Sequence, residues 1–342
     1  MPTLTPRDLN RALLARQLLL TRARTTLPNA LERIGGLQAQ YAPSMYIGLW
    51  SRLEGFKRDD LTRALENRSV IQATLMRVTI HLVSARDYWL FAAGIRRSRR
   101  EWWLRVQPER GSPSDLSAAA SRLRRHLAGG PMRGAEIEEL FGRPLSSGVG
   151  LWVDLVRVPP SGTWERRRAD LYGAAEEWLG PADVTPEEGL EHLVRAYLRG
   201  FGPATPRDIA DWAGLPVRDA ALGIKRLRLR RFRSESGEEL LDLPGAPLPD
   251  PETPAPVRFL PTWDATLLVH ARRTGVLPEK YRPRVFTTKT PHSVATFLVD
   301  GKVAGIWRYE RGEVRLEPFD RLDRSTLREL REEAERLAEF HA

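Results

Sequence analysis

Thr205-Pro-Arg-Asp-Ile-Ala-Asp-Trp-Ala-Gly214 reads as a short helix closed at both ends. A threonine caps it, a proline fills the first helical position, and a glycine stands where the helix must stop. Pro216 to Leu227 is a second helix after a tight turn. Leu229-Arg-Arg-Phe-Arg-Ser-Glu-Ser-Gly-Glu-Glu-Leu-Leu-Asp-Leu243 then folds back as a hairpin around Ser-Gly. A helix-turn-helix that supports a two-stranded wing is the winged-helix order. Leu190 to Gly200 supplies the helix that precedes it.

The same order is read twice more upstream. Residues 5–21 open with Thr5-Pro6 and an amphipathic run. A second helix starts near Pro28 and is interrupted or ended by Gly35-Gly36, a third runs from Met45 to Leu53, and a fourth from Asp59 to Asn67. Val70 to Val83 reads as two strands around Thr74–Arg77. In the next copy, 115–128, Pro131–Gly142 and 146–156 are helical. Val156-Arg-Val-Pro-Pro-Ser-Gly-Thr-Trp-Glu-Arg-Arg-Arg168 is a hairpin with a Pro-Pro-Ser-Gly tip.

Beyond the third copy, 244–257 hold six prolines and form a linker or an extended surface loop. Strands are expected at Val257–Leu260, Val285–Thr288, Ala295–Val299, Lys302–Tyr309 and Glu313–Glu317. Asp300-Gly301 is a favoured hairpin turn. A charged helix closes the chain over 323–341, with Leu327, Leu330, Ala334 and Leu337 on one side. The fold class is therefore α+β and helix-rich, with three tandem winged-helix motifs and a β-rich C-terminal region. The expected units are 1–112, 113–182, 183–245 and 246–342.

Composition narrows the partners. The chain has 342 residues, 42% of them hydrophobic, a net charge of +10 and no cysteine. Disulfides, thiolate zinc sites and a cysteine nucleophile are excluded. The histidines are scattered without metal-ligand spacing, so neither a metal nor any other obligate cofactor is expected. No apolar run reaches the roughly 18 residues of a membrane span, and no signal-peptide core opens the chain. A cytoplasmic protein that does not enter membranes is expected, working as a monomer. Only five of the 54 basic residues are lysine. Arginine suits bidentate phosphate contacts and stacking on bases, though a GC-rich genome would enrich it too.

Several residues are candidates for chemistry. Gln38 and Gln40 flank Ala39 in Leu37-Gln-Ala-Gln-Tyr-Ala-Pro43. A carboxamide is no base near neutral pH, but it both donates and accepts hydrogen bonds, and two of them can orient a water. Taken alone, the same spacing also fits two exposed positions between helices. Period-two alternation puts Arg77, Thr79 and His81 on one strand face and Val78, Ile80 and Leu82 on the other. The polar row suits a phosphate or a leaving group, or the outside of an ordinary edge strand. The wing at 156–168 carries Arg157, Arg166, Arg167 and the aromatic Trp164, a set that fits backbone contact plus wedging at a base step. Arg226 and Arg230 stand on the third copy's helix and wing, placed to neutralise phosphates. Asp264, after Phe259-Leu-Pro-Thr-Trp, is either a structural cap or a group that lines the site or orients what does.

Five stretches together resemble the winged-helix DNA glycosylases of the AlkZ type. They are Leu37-Gln-Ala-Gln-Tyr-Ala-Pro43, Met76-Arg-Val-Thr-Ile-His-Leu-Val83, Arg157-Val-Pro-Pro-Ser-Gly-Thr-Trp164, Tyr197-Leu-Arg-Gly-Phe-Gly-Pro-Ala-Thr205 and Phe259-Leu-Pro-Thr-Trp-Asp264. The resemblance implies three winged helices around a concave DNA channel. It implies a catalytic motif of Gln, an apolar residue, then Gln or Asp, which falls here on Gln38 and Gln40. The double-glutamine form is similar to the branch that unhooks interstrand crosslinks. The strand departs from the family's Arg-Gly-Thr, because Val78 takes the place of the glycine.

The expected function is a monofunctional DNA glycosylase acting on double-stranded DNA with alkylated bases. Water held by Gln38 and Gln40 attacks C1′ of an N7-alkylguanine nucleotide, beside Thr79, His81 and Asp264, with Arg77 on a phosphate. The nearest lysine in sequence is Lys57, which argues against Schiff-base chemistry. A winged-helix transcription regulator is the competing reading. It would read the major groove with residues 216–227, which contain no Asn or Gln.

Overall fold

A computed structural model of the chain describes residues 1–268, 275–286 and 293–342. The fold is mixed α+β, with about half of the chain helical. The N-terminal helix Pro6–Arg16 starts at a capping box in which Thr5 and Asp8 bond each other's backbone. Helix Leu27–Ile34 ends where Gly35 turns left-handed at φ 78°. Glycine takes that conformation at little cost.

Among the described residues, three sheets order the chain. A six-stranded sheet takes its strands in the order Leu37–Gln38, Ile80–Ser84, Val70–Thr74, Leu155–Arg157, Leu171–Ala174 and Met132–Arg133. It runs across the expected boundary at residue 112, so the first and second hairpins are one sheet. The third hairpin, Arg230–Ser234 with Glu239–Asp242, pairs instead with Thr3–Leu4 at the N-terminus. A four-stranded sheet, Arg258–Leu260, Thr296–Val299, Lys302–Glu310 and Glu313–Pro318, forms the C-terminal β-region. Its central turn is the expected one, with Asp300 and Gly301 at φ 45° and 75°.

Residues 186–242 follow the sequence closely: helices Pro186–Phe201, Pro206–Ala213 and Val217–Lys225, then the hairpin. Trp212 is buried against Tyr197 and Phe91, with ring centroids 5.4 and 6.2 Å away. The proline-rich stretch lies along the N-terminal helix. There Arg11 Nε donates to Thr253 O at 2.7 Å, and Arg16 Nη2 to Pro247 O at 2.9 Å.

Four expectations are corrected. The longest helix, Ala85–Val106, occupies a stretch for which the sequence reading names no element. Residues 146–156 are not a separate helix: Gly134–Val149 is one element broken at Gly142, and a strand begins at Leu155. The second hairpin's return strand starts at Leu171, so Arg166–Arg168 stand in its connecting loop. Val285 ends a short helix and Phe286 bridges Ser293, while residues 287–288 of that expected strand lie outside the described residues. The C-terminal helix, Arg324–His341, is capped by Asp323 and buries Leu330, Ala334 and Leu337. Among the described residues, no helix is long and apolar enough to cross a membrane.

Candidate active site

Leu37–Gln38 is a two-residue edge strand, in antiparallel register with Leu82 and His81. The pairing continues as Ala39 N–H donates to Ile80 O at 2.7 Å. Gln38 lies on the sheet and is 5% exposed, whereas Gln40 is past its end and exposed. The next residues, Tyr41 and Ala42, lead into helix Ala42–Trp50.

Both carboxamides are tied to one short stretch of chain, residues 77–80. Arg77 Nη2 donates to Gln38 Oε1 at 2.9 Å, and the backbone N–H of Ile80 donates to Gln40 Oε1 at 3.1 Å. Only an oxygen can meet those donors, so the partners fix which way each amide faces. Among the described residues, neither carboxamide nitrogen donates a hydrogen bond. Each oxygen keeps a second lone pair, and each NH2 group is available as a donor. Each carboxamide can therefore bond a polar molecule without taking its proton.

The turn itself differs from the expected strand. Met76–Val78 is a single turn of 3-10 helix, and the strand resumes at Ile80. Alternation fails here because Arg77 and Val78 are left-handed, at φ 53° and 57°. A β-branched residue is a poor fit to that backbone. The glycine expected at position 78 by resemblance is explained by this φ. Close approach of a partner is not needed to account for it.

Arg77 is not the free phosphate-holder that was expected. Its other nitrogen, Nη1, donates to the carbonyl of Trp212. Burial lowers its pKa to about 10, still charged near neutrality. Gly214, at φ 73°, packs so closely that an added Cβ would lie 3.1 Å from Arg77 N. The turn at 76–78 and the end of helix Pro206–Ala213 therefore meet at this arginine. Thr79 Oγ1 is turned inward, donating to Met76 O at 3.0 Å.

His81 is buried, with Nδ1 3.0 Å from Thr79 O. That carbonyl can only accept, so the neutral ring carries its proton on Nδ1. Burial and then the nearby Arg77 charge lower its pKa to about 3, against which the Thr79 bond works. It is neutral at any ordinary working pH.

The remaining candidates divide by exposure. Asp264 does not line the site. It has no exposed surface, and Arg52 Nη1 and Nη2 meet its two oxygens at 2.9 and 3.0 Å. It also caps the helix Ala265–Leu268 through Thr266 N–H at 3.0 Å. Burial alone would raise its pKa, but Arg52 and the Thr266 bonds hold it below the ordinary value. Trp164 does not present a wedge. It is buried edge-on to Tyr46 and Phe340, with centroids 5.6 and 5.7 Å away. Arg157 is buried too, with Nη1 donating to Thr74 Oγ1 at 3.1 Å. Arg166 and Arg167 are exposed in their loop. Arg226 is paired with Glu191 at 3.1 Å, and the half-buried Arg230 lies over Phe232 at 4.7 Å.

The sequence reading missed the Arg77–Gln38 tie and the backbone donor at Ile80. Both depend on the left-handed turn, which no residue type at 77 or 78 signals. With this geometry in place, the sequence pattern of the family described as "DNA glycosylase AlkZ-like" is found to match residues 31–340. The chain belongs to the AlkZ-like DNA glycosylase family.

A solved structure, the DNA glycosylase AlkZ of Streptomyces sahachiroi, superposes with a TM-score of 0.83 at 18% identity. The match covers 98% of this chain and 97% of that one. At that identity the likeness speaks for the fold. A search of curated proteins finds no match. Members of an AlkZ-like DNA glycosylase family are enzymes that act on DNA, and the regulator reading falls away.

Proposed function

We propose that this AlkZ-like glycosylase hydrolyses the N-glycosidic bond of N7-alkylated guanine in duplex DNA, with water positioned by Gln38 and Gln40. One observation carries the reading: both carboxamide oxygens are oriented by donors of one short stretch, Arg77 and Ile80, and each oxygen keeps a lone pair for a water. In this reading three winged helices surround a concave DNA channel. The exposed loop arginines 166 and 167 contact the backbone. Thr79 and His81 shape the floor beneath the glutamines rather than touch the leaving group.

The chemistry asks little of the protein. An N7-alkylguanine is cationic, and breaking the C1′–N9 bond returns its electron pair to the purine, which leaves neutral. The sugar passes through an oxocarbenium-like state. The water's hydrogens point to the free lone pairs of the two Oε1 atoms, and its own lone pair points to C1′. As the O–C1′ bond forms, the surplus proton passes to solvent. Positioning and the partial negative charge of the amide oxygens do the work. No base is required, which suits a neutral, buried His81. The groups that bond the carboxamides are Arg77 and Ile80. Neither supplies the amine a Schiff-base lyase needs. Crosslinks joined through guanine N7 break at the same bond, and we extend the proposal to their unhooking.

The test is a duplex with one N7-methylguanine, incubated with the protein and developed with alkali, alongside heated controls. Release of free N7-methylguanine, with no covalent adduct trapped by borohydride, is the expected result. An intact lesion, or a trapped adduct, would count against hydrolysis by water.

A further inference from the structure

We propose that Tyr41 is a stacking platform for a nucleobase of the strand whose glycosidic bond is broken. This inference deepens the glycosylase reading and rests on it. Tyr41 follows Gln40 directly and is 43% exposed, among the most exposed large apolar side chains in the described residues. Its backbone serves only as the N-cap of helix Ala42–Trp50, with φ −129° and no side-chain capping bond. The fold therefore does not explain the ring.

The ring is nevertheless held. Arg167 Nη1 lies 3.1 Å from the Tyr41 hydroxyl, which accepts its hydrogen bond. Arg167 is itself anchored to the interior, with its guanidinium 5.9 Å from the centre of the buried Trp164 ring and Nε donating to Trp164 O at 3.4 Å. A core tryptophan thus positions an arginine, and the arginine positions an exposed aromatic beside Gln40. A solvent-facing ring that follows Gln40 in the chain and bonds one of a run of exposed arginines matches the way unstacked bases are received: aromatic face for the base, cations for the backbone. An arginine that only neutralised phosphate would not need its side chain tied to a tyrosine. Arg167 is the positioning residue here, and Tyr41 the contact.

The probe is a duplex with one N7-methylguanine on a 2′-fluorinated sugar, which resists cleavage, compared with the unmodified duplex by fluorescence anisotropy across a salt series. Tyr41→Ala and Tyr41→Leu are expected to weaken lesion binding roughly ten-fold, with an unchanged salt slope. Tyr41→Phe keeps the ring but loses the Arg167 bond, and should bind roughly two- to three-fold below the parent, between it and Tyr41→Leu. Arg167→Ala should lose roughly three-fold and flatten the salt slope by about one ion. Parent-like binding by Tyr41→Leu, or a Tyr41→Phe as weak as Tyr41→Leu, would overturn the proposal. Gln38→Ala and Gln40→Ala separate it from the underlying mechanism. If they excise normally while Tyr41→Leu binds weakly, the glutamine mechanism fails and the platform stands. If they lose excision while Tyr41→Leu binds as the parent does, only the platform fails.

Discussion

Arg77 stands between two parts of the chain far apart in sequence, donating to Gln38 Oε1 at 2.9 Å with one nitrogen and to the Trp212 carbonyl with the other. The helix that ends at Ala213 thereby sets the orientation of a glutamine at the edge of a distant sheet. Replacing Arg77 by alanine should lower the single-turnover excision rate by roughly 10- to 100-fold, with a smaller change in half-saturating DNA concentration. Arg77→Lys should recover little, because an ammonium cannot span both acceptors as a planar fork does. A loss confined to DNA binding would instead return Arg77 to a phosphate contact.

Gly214 should be sensitive for the same reason. Its φ of 73° strains any side chain, and a Cβ would sit 3.1 Å from Arg77 N and 3.2 Å from Arg77 Cα. Gly214→Ala should cost about 1–2 kcal/mol of stability. It should also slow excision, although it lies 174 residues from Gln40 in the chain. Denaturant midpoints and single-turnover rates measured together check this. An unstable variant with parent-like excision would mean that the turn tolerates the shift.

His81 predicts a pH effect on stability rather than on catalysis. In the unfolded chain the imidazole binds a proton below its ordinary pKa of 6.5, but in the fold only near 3. Between those values the unfolded chain holds more protons, so stability falls as the pH falls. His192 and His341, both lowered to about 4 chiefly by burial, act in the same direction. Asp87, raised to about 6 mainly by burial, works against them below that pH. Unfolding midpoints from pH 4 to 8 should rise to about pH 6.5 and level off, and His81→Asn should flatten part of the rise. The excision rate should show no step near pH 6.5 that vanishes in this variant.

How much of this was legible in the sequence depends on how local each cause is. The capped helix at 206–213 was readable because Thr205 and Asp208 satisfy each other's backbone within one turn. The same signal was present at Ser84 and Asp87, where Ser84 Oγ accepts from Asp87 N–H at 3.1 Å, and it opens the long helix the sequence reading passed over. Arginine- and tryptophan-rich composition disguised that helix's apolar face. Gln38 and Gln40 were found by motif, but what orients them was not. Trp164 looked like a wedge for DNA because its neighbours are basic. Phe340 and His341, which pack against it, come from the far C-terminal end of the given sequence.

Asp264 shows the same limit and gives a further prediction. Its partner Arg52 is 212 residues away, and both are buried. Asp264→Ala leaves a buried guanidinium without its counter-ion and should destabilise the protein by about 3–5 kcal/mol. Arg52→Met combined with Asp264→Ala should recover part of that loss, since an unpaired buried charge costs more than an apolar pair. Chemical denaturation of the parent and the two variants decides it. A mild effect from Asp264→Ala would mean that the pair is not desolvated as its burial implies.

The most direct test of the mechanism is the single-turnover rate of N7-methylguanine release by Gln38→Ala, Gln40→Ala and the double variant, at saturating enzyme. If the two carboxamides grip one water, each single change should slow release by roughly 100-fold, and the double variant should be scarcely slower than either. Release at the parent rate by the double variant would contradict the account outright.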